Sequence, residues 1–245
     1  MASASPTNPY QARDSPKSTA EIFAPNEIII VNVGPLKVAY ALHRGILVSK
    51  CPFFKKCLRS GMKEEQEKTV NLPEELPVAF DTLVQWMYTG KMVMEPRMQI
   101  SYIDAYLLAD KFCMHDLQNS IMDAYRGTCV PFAIWPGTLH DVWTRSTEKC
   151  LLRKFCFDHV HFTLSNLHDW NKSHLFISPS KVFRAQIDQL IFSGSPASHA
   201  LFWKLARFDT GLSQTTNSPV ADDPALLLGC VYHVHKDGEK CMSSA

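Results

Sequence analysis

The stretch CVYHVHKDGEKC places Cys230, His233, His235 and Cys241 within twelve positions. This C-x2-H-x-H-x5-C spacing offers two thiolates and two imidazoles, the donor types and number of a tetrahedral zinc site. Regular backbone works against it. On a strand His233 and His235 share one face while Cys230 points to the other. With Asp237-Gly238 as a two-residue hairpin turn, Val234 lies opposite Cys241, which puts Cys241 on the Cys230 side. Only an irregular loop gathers all four, and the alternative is a terminal segment that simply packs. Zinc held by four protein ligands would be structural, because no position stays open for a reacting water. No other cofactor is expected. The same C-x2-H-x-H spacing recurs in CFDHVH at 156–161. On a helix Cys156 and His159 would share a face that the core needs, and His161 would not.

Nucleophilic chemistry has weaker support. A thiol nucleophile needs a histidine beside it, and Cys113 with His115, or Cys156 with His159, are near in sequence. Both read as buried thiols beside half-exposed imidazoles. FSGSPASH sets a serine among small residues close to His199 but lacks the strand–turn–helix setting of a nucleophile elbow. No G-x-G-x-x-G, P-loop or H-E-x-x-H occurs, and the 10 glycines are scattered. No catalytic residue is assigned, and an enzyme of Cys/His type remains the distant alternative.

The elements that must position these side chains fall into two halves. Residues 1–24 are rich in Ser, Thr, Pro and Asn and read as a disordered tail. EIIIVNVG reads as a buried strand closed by Gly34-Pro35, and LKVAYAL as a second, with Leu36, Val38, Tyr40 and Leu42 on one face; together they make a hairpin. Helical spacing follows through Ile46, Leu47, Phe53, Phe54, Cys57 and Leu58, with Pro52 at a helix start and Gly61 as a stop. KEEQEK reads as a solvated loop, TVNLP as a third strand, and PVAFDTLVQWMYTGKM as a helix ended by Gly90. Helices fit SYIDAYLLADKF and HDLQNSIMDAYR, then, after the connector GTCVPFAIWPG, residues 146–162 and 180–192. DTGLSQTTNSPVADDP reads as a loop. Strands followed by packed helices give an α+β class, with a mainly helical extension over 127–245.

Lys+Arg number 25 against 24 Asp+Glu, a net charge of +1. No overall field therefore draws nucleic acid or anionic lipid. No apolar run approaches the roughly 18 residues of a membrane span, and the start lacks a signal-peptide core. The eight cysteines are accordingly expected as reduced thiols in the cytoplasm or nucleus, or both, with proteins rather than small molecules as partners.

Several pieces of residues 25–126 resemble the BTB/POZ domain. They are Val33-Gly34, Leu42-His43-Arg44 with Leu47, Ser49-x-x-Pro52-Phe53-Phe54, Val70-x-Leu72-Pro73, Phe80-x-x-Leu83-Val84-x-Trp86-Met87-Tyr88-Thr89-Gly90, and Leu108-Ala109-Asp110-Lys111-Phe112. Beyond residue 126, VWTRSTEKCLLRKF and CVYHVHKDGEKC resemble the second halves of short filamentous-fungal BTB proteins, with no kelch repeats, MATH-like domain or C2H2 finger spacing. The resemblance implies a short sheet flanked by helical hairpins and a protein-interaction role: as a substrate adaptor for a cullin ubiquitin ligase, or as a BTB dimer or scaffold, including a nuclear one, without cullin. Met62-Lys63-Glu64 resembles the apolar-x-Glu cullin contact, which makes Met62 and Glu64 the contact candidates. Dimeric relatives carry an acid before the first strand and a base after the His. Arg44 matches the base, and Asn26-Glu27 stands in the acid's place, so Glu27 and Arg44 are the candidates for a dimer pocket.

Overall fold

The computed structural model describes residues 27–59, 61–94, 99–130, 134–165, 181–206 and 223–235. The tail read over 1–24, most of the loop read over 209–224, and Cys241 lie outside them. The chain divides into two compact units, Met1–Glu74 and Glu75–Ala245.

The first unit is built on a three-stranded sheet. β1 (Ile28–Val33) and β2 (Val38–His43) pair antiparallel from Ile28↔His43 to Val33↔Val38. The turn between them needs left-handed backbone at Gly34 (φ 75) and Lys37 (φ 52), closed by the Lys37 N–H donating to the Gly34 carbonyl at 3.0 Å. β1 alternates as a half-buried strand should. Ile29, Val31 and Val33 are inside, while Ile28 and Ile30 reach the surface.

β2 departs from expectation: of Leu36, Val38, Tyr40 and Leu42 only Leu42 is buried. Leu36 belongs to the turn, and β2 is an edge strand in the order β2-β1-β3. Two short helices follow, α1 (Arg44–Lys50) and α2 (Pro52–Cys57), with Pro52 in the first turn of α2. They bury Ile46, Leu47, Phe54 and, just beyond, Leu58.

KEEQEK is not a loop. Its residues form α3 (Lys63–Glu67), ended by Lys68 in the left-handed conformation. The helix buries no side chain and is held by local polar contacts instead. Lys63 pairs with Glu67 at 3.6 Å, and the Gly61 N–H donates to Glu65 Oε2 at 3.2 Å. β3 (Thr69–Leu72) returns parallel to β1, Ile30↔Thr69 through Val33↔Leu72, with Asn32 Nδ2 donating to Asn71 Oδ1 at 3.0 Å.

Among its described residues the second unit is helical. α4 (Pro77–Thr89) starts on Pro77 and ends at Gly90 (φ 65). α5 (Gln99–Lys111) and α6 (His115–Cys129) form a hairpin whose turn sets Cys113 at φ 58. α7 (Pro136–Arg145) packs on α8 (Leu151–Ser165). α9 (Lys181–Phe192) lies against α7, and α10 (Pro196–Leu205) against α8. Helices α7 and α10 add to the elements expected from sequence.

A line of rings runs through the core: Tyr102 on Tyr125 at 5.7 Å, Tyr125 on Phe155 at 5.8 Å, Phe155 on Tyr232 at 5.1 Å between centroids. Tyr232, in the C-terminal segment, is 1% exposed, so the segment 223–235 reaches this core through it. Among the described residues no helix is long and apolar enough to cross a membrane.

Candidate functional site

Two places gather the residues singled out above. In the first unit, Met62 stands just ahead of α3 with extended backbone (φ -79, ψ 147). Its N–H donates to the Arg59 carbonyl at 3.1 Å and its carbonyl accepts from the Gln66 N–H at 3.2 Å. The backbone is therefore fixed while the side chain, 45% exposed, projects outward. Glu64 lies in the first turn of α3 and is half-buried. The Cys57 thiol is pushed up to about 11, by burial first and by the Glu64 carboxylate second. An exposed apolar side chain and a half-buried carboxylate thus stand two residues apart at the start of α3.

Glu27 and Arg44 meet within one chain. Arg44 Nε lies 3.3 Å from Glu27 Oε2, and the Arg44 N–H donates to the Glu27 carbonyl at 2.9 Å. Arg44 Nη2 also donates to the Leu58 carbonyl at 2.9 Å and reaches Glu65 Oε1 at 3.5 Å, while Lys68 Nζ approaches Glu27 Oε1 at 3.3 Å. Side chains about a third exposed hold such pairs at roughly 0–1 kcal/mol each. The network fastens the start of β1 to α1 and the α3 corner.

In the second unit the opening cluster takes an irregular form. Residues 223–235 contain turns and bends but no strand. Strand alternation therefore does not apply, and Cys230, His233 and His235 place their ligand atoms within 4.8 Å of one another. Cys241 lies outside the described residues.

The segment is held by one stripe of α6, Asn119, Asp123 and Arg126, spaced to share a helix face. Asn119 Nδ2 donates to the Val234 carbonyl at 2.9 Å, and the Val234 N–H donates to Asn119 Oδ1 at 2.7 Å. Asp123 Oδ1 is 2.6 Å from His233 Nε2. Arg126 donates to the Leu227 carbonyl and lies 5.7 Å from the Tyr232 ring centroid. Sequence reading misses this stripe, since polar residues on an amphipathic helix look solvated when their partners are over a hundred positions away.

The enzyme-like residues lie in three different settings. Cys156 is buried and desolvation drives its thiol well above the usual range, the reverse of an activated nucleophile. Cys113 is exposed at the α5–α6 turn. In FSGSPASH, Ser195 caps α10 by accepting from the Ala197 N–H at 3.2 Å, and His199 Nε2 accepts from Trp203 Nε1 at 2.8 Å.

Comparison with known proteins agrees with the element order of the first half. The BTB/POZ domain profile matches residues 29–127. BTB/POZ domain-containing protein 9 of Homo sapiens is 31% identical over 85 residues, which cover 34% of this chain and 14% of the relative. Its Drosophila melanogaster counterpart is 29% identical over the same length, covering 12% of that protein. Kelch repeat and BTB domain-containing protein 7 of Homo sapiens is 32% identical over 53 residues, 22% of this chain and 8% of the relative. The match thus spans about one-seventh of these relatives or less, while the domain profile covers nearly all of the sheet, the Met62 corner and helices α4 to α6. Residues 29–127 are a BTB/POZ domain, a protein-interaction module, and through it the chain is homologous to BTB-containing proteins.

Proposed function

We propose that this chain is an adaptor whose BTB domain docks on the N-terminal helices of a cullin through Met62 and Glu64, and whose helical extension carries the partner to be presented. The observation that carries this reading is the exposure of Met62 on a corner whose backbone is already fixed. An exposed apolar side chain on a rigid frame loses little entropy on burial, which is what a binding anchor requires. Glu64 in the first turn of α3 adds a charged contact that sets register. The thiols buried at Cys51, Cys129, Cys150 and Cys156 fit work in the reducing cytoplasm or nucleus.

Size-exclusion chromatography with light scattering tests it, on the full chain alone and mixed with a cullin N-terminal domain. The expected result is a stable complex that the Met62→Ala/Glu64→Ala variant loses, with unchanged circular dichroism. Loss of two anchor contacts is expected to weaken binding by about 2 kcal/mol or more. An equally tight complex with the double variant removes the corner from the mechanism.

One observation favours a second reading, a homodimeric scaffold without cullin. Ile28 and Ile30 are 38% and 36% exposed and lie opposite His43 and Ala41 in the hairpin, so they form a small apolar strip. The mass of the free chain in the same experiment separates the two: a dimer dissociated by Ile28→Lys/Ile30→Lys supports the scaffold.

A further inference from the structure

We propose that Cys230, His233 and His235 form a binding site for a zinc-class divalent cation, with Asp123 on α6 as the carboxylate that orients His233. The proposal is independent of the cullin reading, because the three donors lie in the second unit, outside the residues shared with BTB relatives.

Four observations converge. The donors are one thiol and two imidazoles, the set that borderline divalent cations select. Their ligand atoms lie within 4.8 Å of one another. Zinc–nitrogen bonds of about 2.0–2.1 Å and a zinc–sulfur bond of about 2.3 Å put neighbouring donors roughly 3.3–3.6 Å apart, so that closure of no more than about 1.5 Å is needed. Small side-chain rotations at the exposed Cys230 and the half-buried His235 on an irregular segment supply it. Next, among the described residues His235 Nε2 is buried with no hydrogen-bond partner, and its ring sits 6.0 Å from that of His233 at 68°. A buried imidazole nitrogen without a partner is costly in a protein interior, and a metal satisfies it.

The last observation is the 2.6 Å contact between His233 Nε2 and Asp123 Oδ1, where the His233 side chain is 1% exposed. Metal-bound histidines commonly donate their second ring nitrogen to a carboxylate, which fixes tautomer and orientation. One thiolate and the Asp123 carboxylate also balance a divalent charge. Arg126 Nη1 lies 3.8 Å from Asp123 and pairs with that carboxylate without itself entering the donor set.

The test uses the full chain, purified without a polyhistidine tag and stripped with chelator. Titration with Co2+ is expected to give one metal per chain, with the visible bands of a tetrahedral ion and a thiolate-to-cobalt charge-transfer band, both displaced by Zn2+. Cys230→Ser, at an exposed donor, and His235→Ala, at a half-buried one, are expected to lower affinity at least tenfold with unchanged circular dichroism. Cys113→Ser, which alters an exposed thiol elsewhere, is expected to bind as the parent does.

Asp123→Asn is expected to weaken binding by about 10–100-fold while keeping the charge-transfer band at saturation, with Asp123→Glu restoring part of the affinity. Uptake well below one metal per chain, or a band and affinity untouched by Cys230→Ser and His235→Ala, overturns the site.

Discussion

His159 shows how a single buried residue sets the response of its unit to acid. It is 0% exposed, flanked by Phe155 and Phe162, and neither ring nitrogen makes a well-formed hydrogen bond among the described residues. Burial lowers its pKa from the usual 6.5 against the opposing pull of Asp223 and the Cys129 backbone. The unfolded chain takes up a proton at about pH 6.5, whereas the folded chain resists it. Unfolding then binds protons, so stability is full above that pH and falls as pH drops below it. Urea midpoints at pH 7.5 and 5.5 are expected to show this loss, and His159→Leu, which removes the titrating group, is expected to shrink the difference. In sequence His159 looks like a ligand in C-x2-H-x-H. The helical period that places it beside Cys156 is legible there, but whether that face meets a metal or the core depends on distant rings. Cys230 and His235 resist prediction for the opposite reason: their segment has no period at all.

At the scale of elements, punctuation by Gly and Pro is the readable signal. Gly90 ends α4 at φ 65, and nothing lies within 4 Å of where a Cβ would stand. The cost of Gly90→Ala is therefore conformational alone, about 1 kcal/mol in chemical denaturation. Pro52, Pro77 and Gly34 mark boundaries equally well. Helix α3 is hard to see because KEEQEK has no apolar stripe and its five residues rest on one exposed ion pair and the Glu65 bond to Gly61. Helix α10 hides behind a serine that looks chemical, although Ser195 followed by Pro196 is also a capping signal. The stripe on α6 has no sequence signature. Its importance is measurable: Asn119→Ala removes both bonds to Val234 and is expected to cost roughly 1–3 kcal/mol. Hydrogen exchange at the Val234 amide should rise far more than exchange within α8.

For the whole molecule, the net charge is +1, and the BTB domain over residues 29–127 is a protein-interaction module. The α+β order and the domain are legible because six short pieces fall in the right sequence. The partner is not, since recognition surfaces carry no period. Thiol accessibility gives a global check. Among the described cysteines, Cys113 and Cys230 are exposed, Cys57 is intermediate, and Cys51, Cys129, Cys150 and Cys156 are buried. A mild alkylating reagent followed by peptide mapping is expected to label Cys113 and Cys230 first, and saturating Zn2+ is expected to protect Cys230 alone of that pair. Early labelling of Cys156 would contradict the packing of α6 against α8.

The parallel pairing of β3 with β1 also orders events during synthesis. β2 follows β1 after a short turn, so one edge of β1 is satisfied almost at once, whereas its other edge waits for Thr69–Leu72. At about 5–20 residues per second, the ribosome needs roughly 1.5 to 6 seconds to go from the end of β2 through α1, α2 and α3 to the end of β3. For that interval the nascent chain carries an open edge on β1, so the parallel pair of the sheet is the last of its two ladders to form.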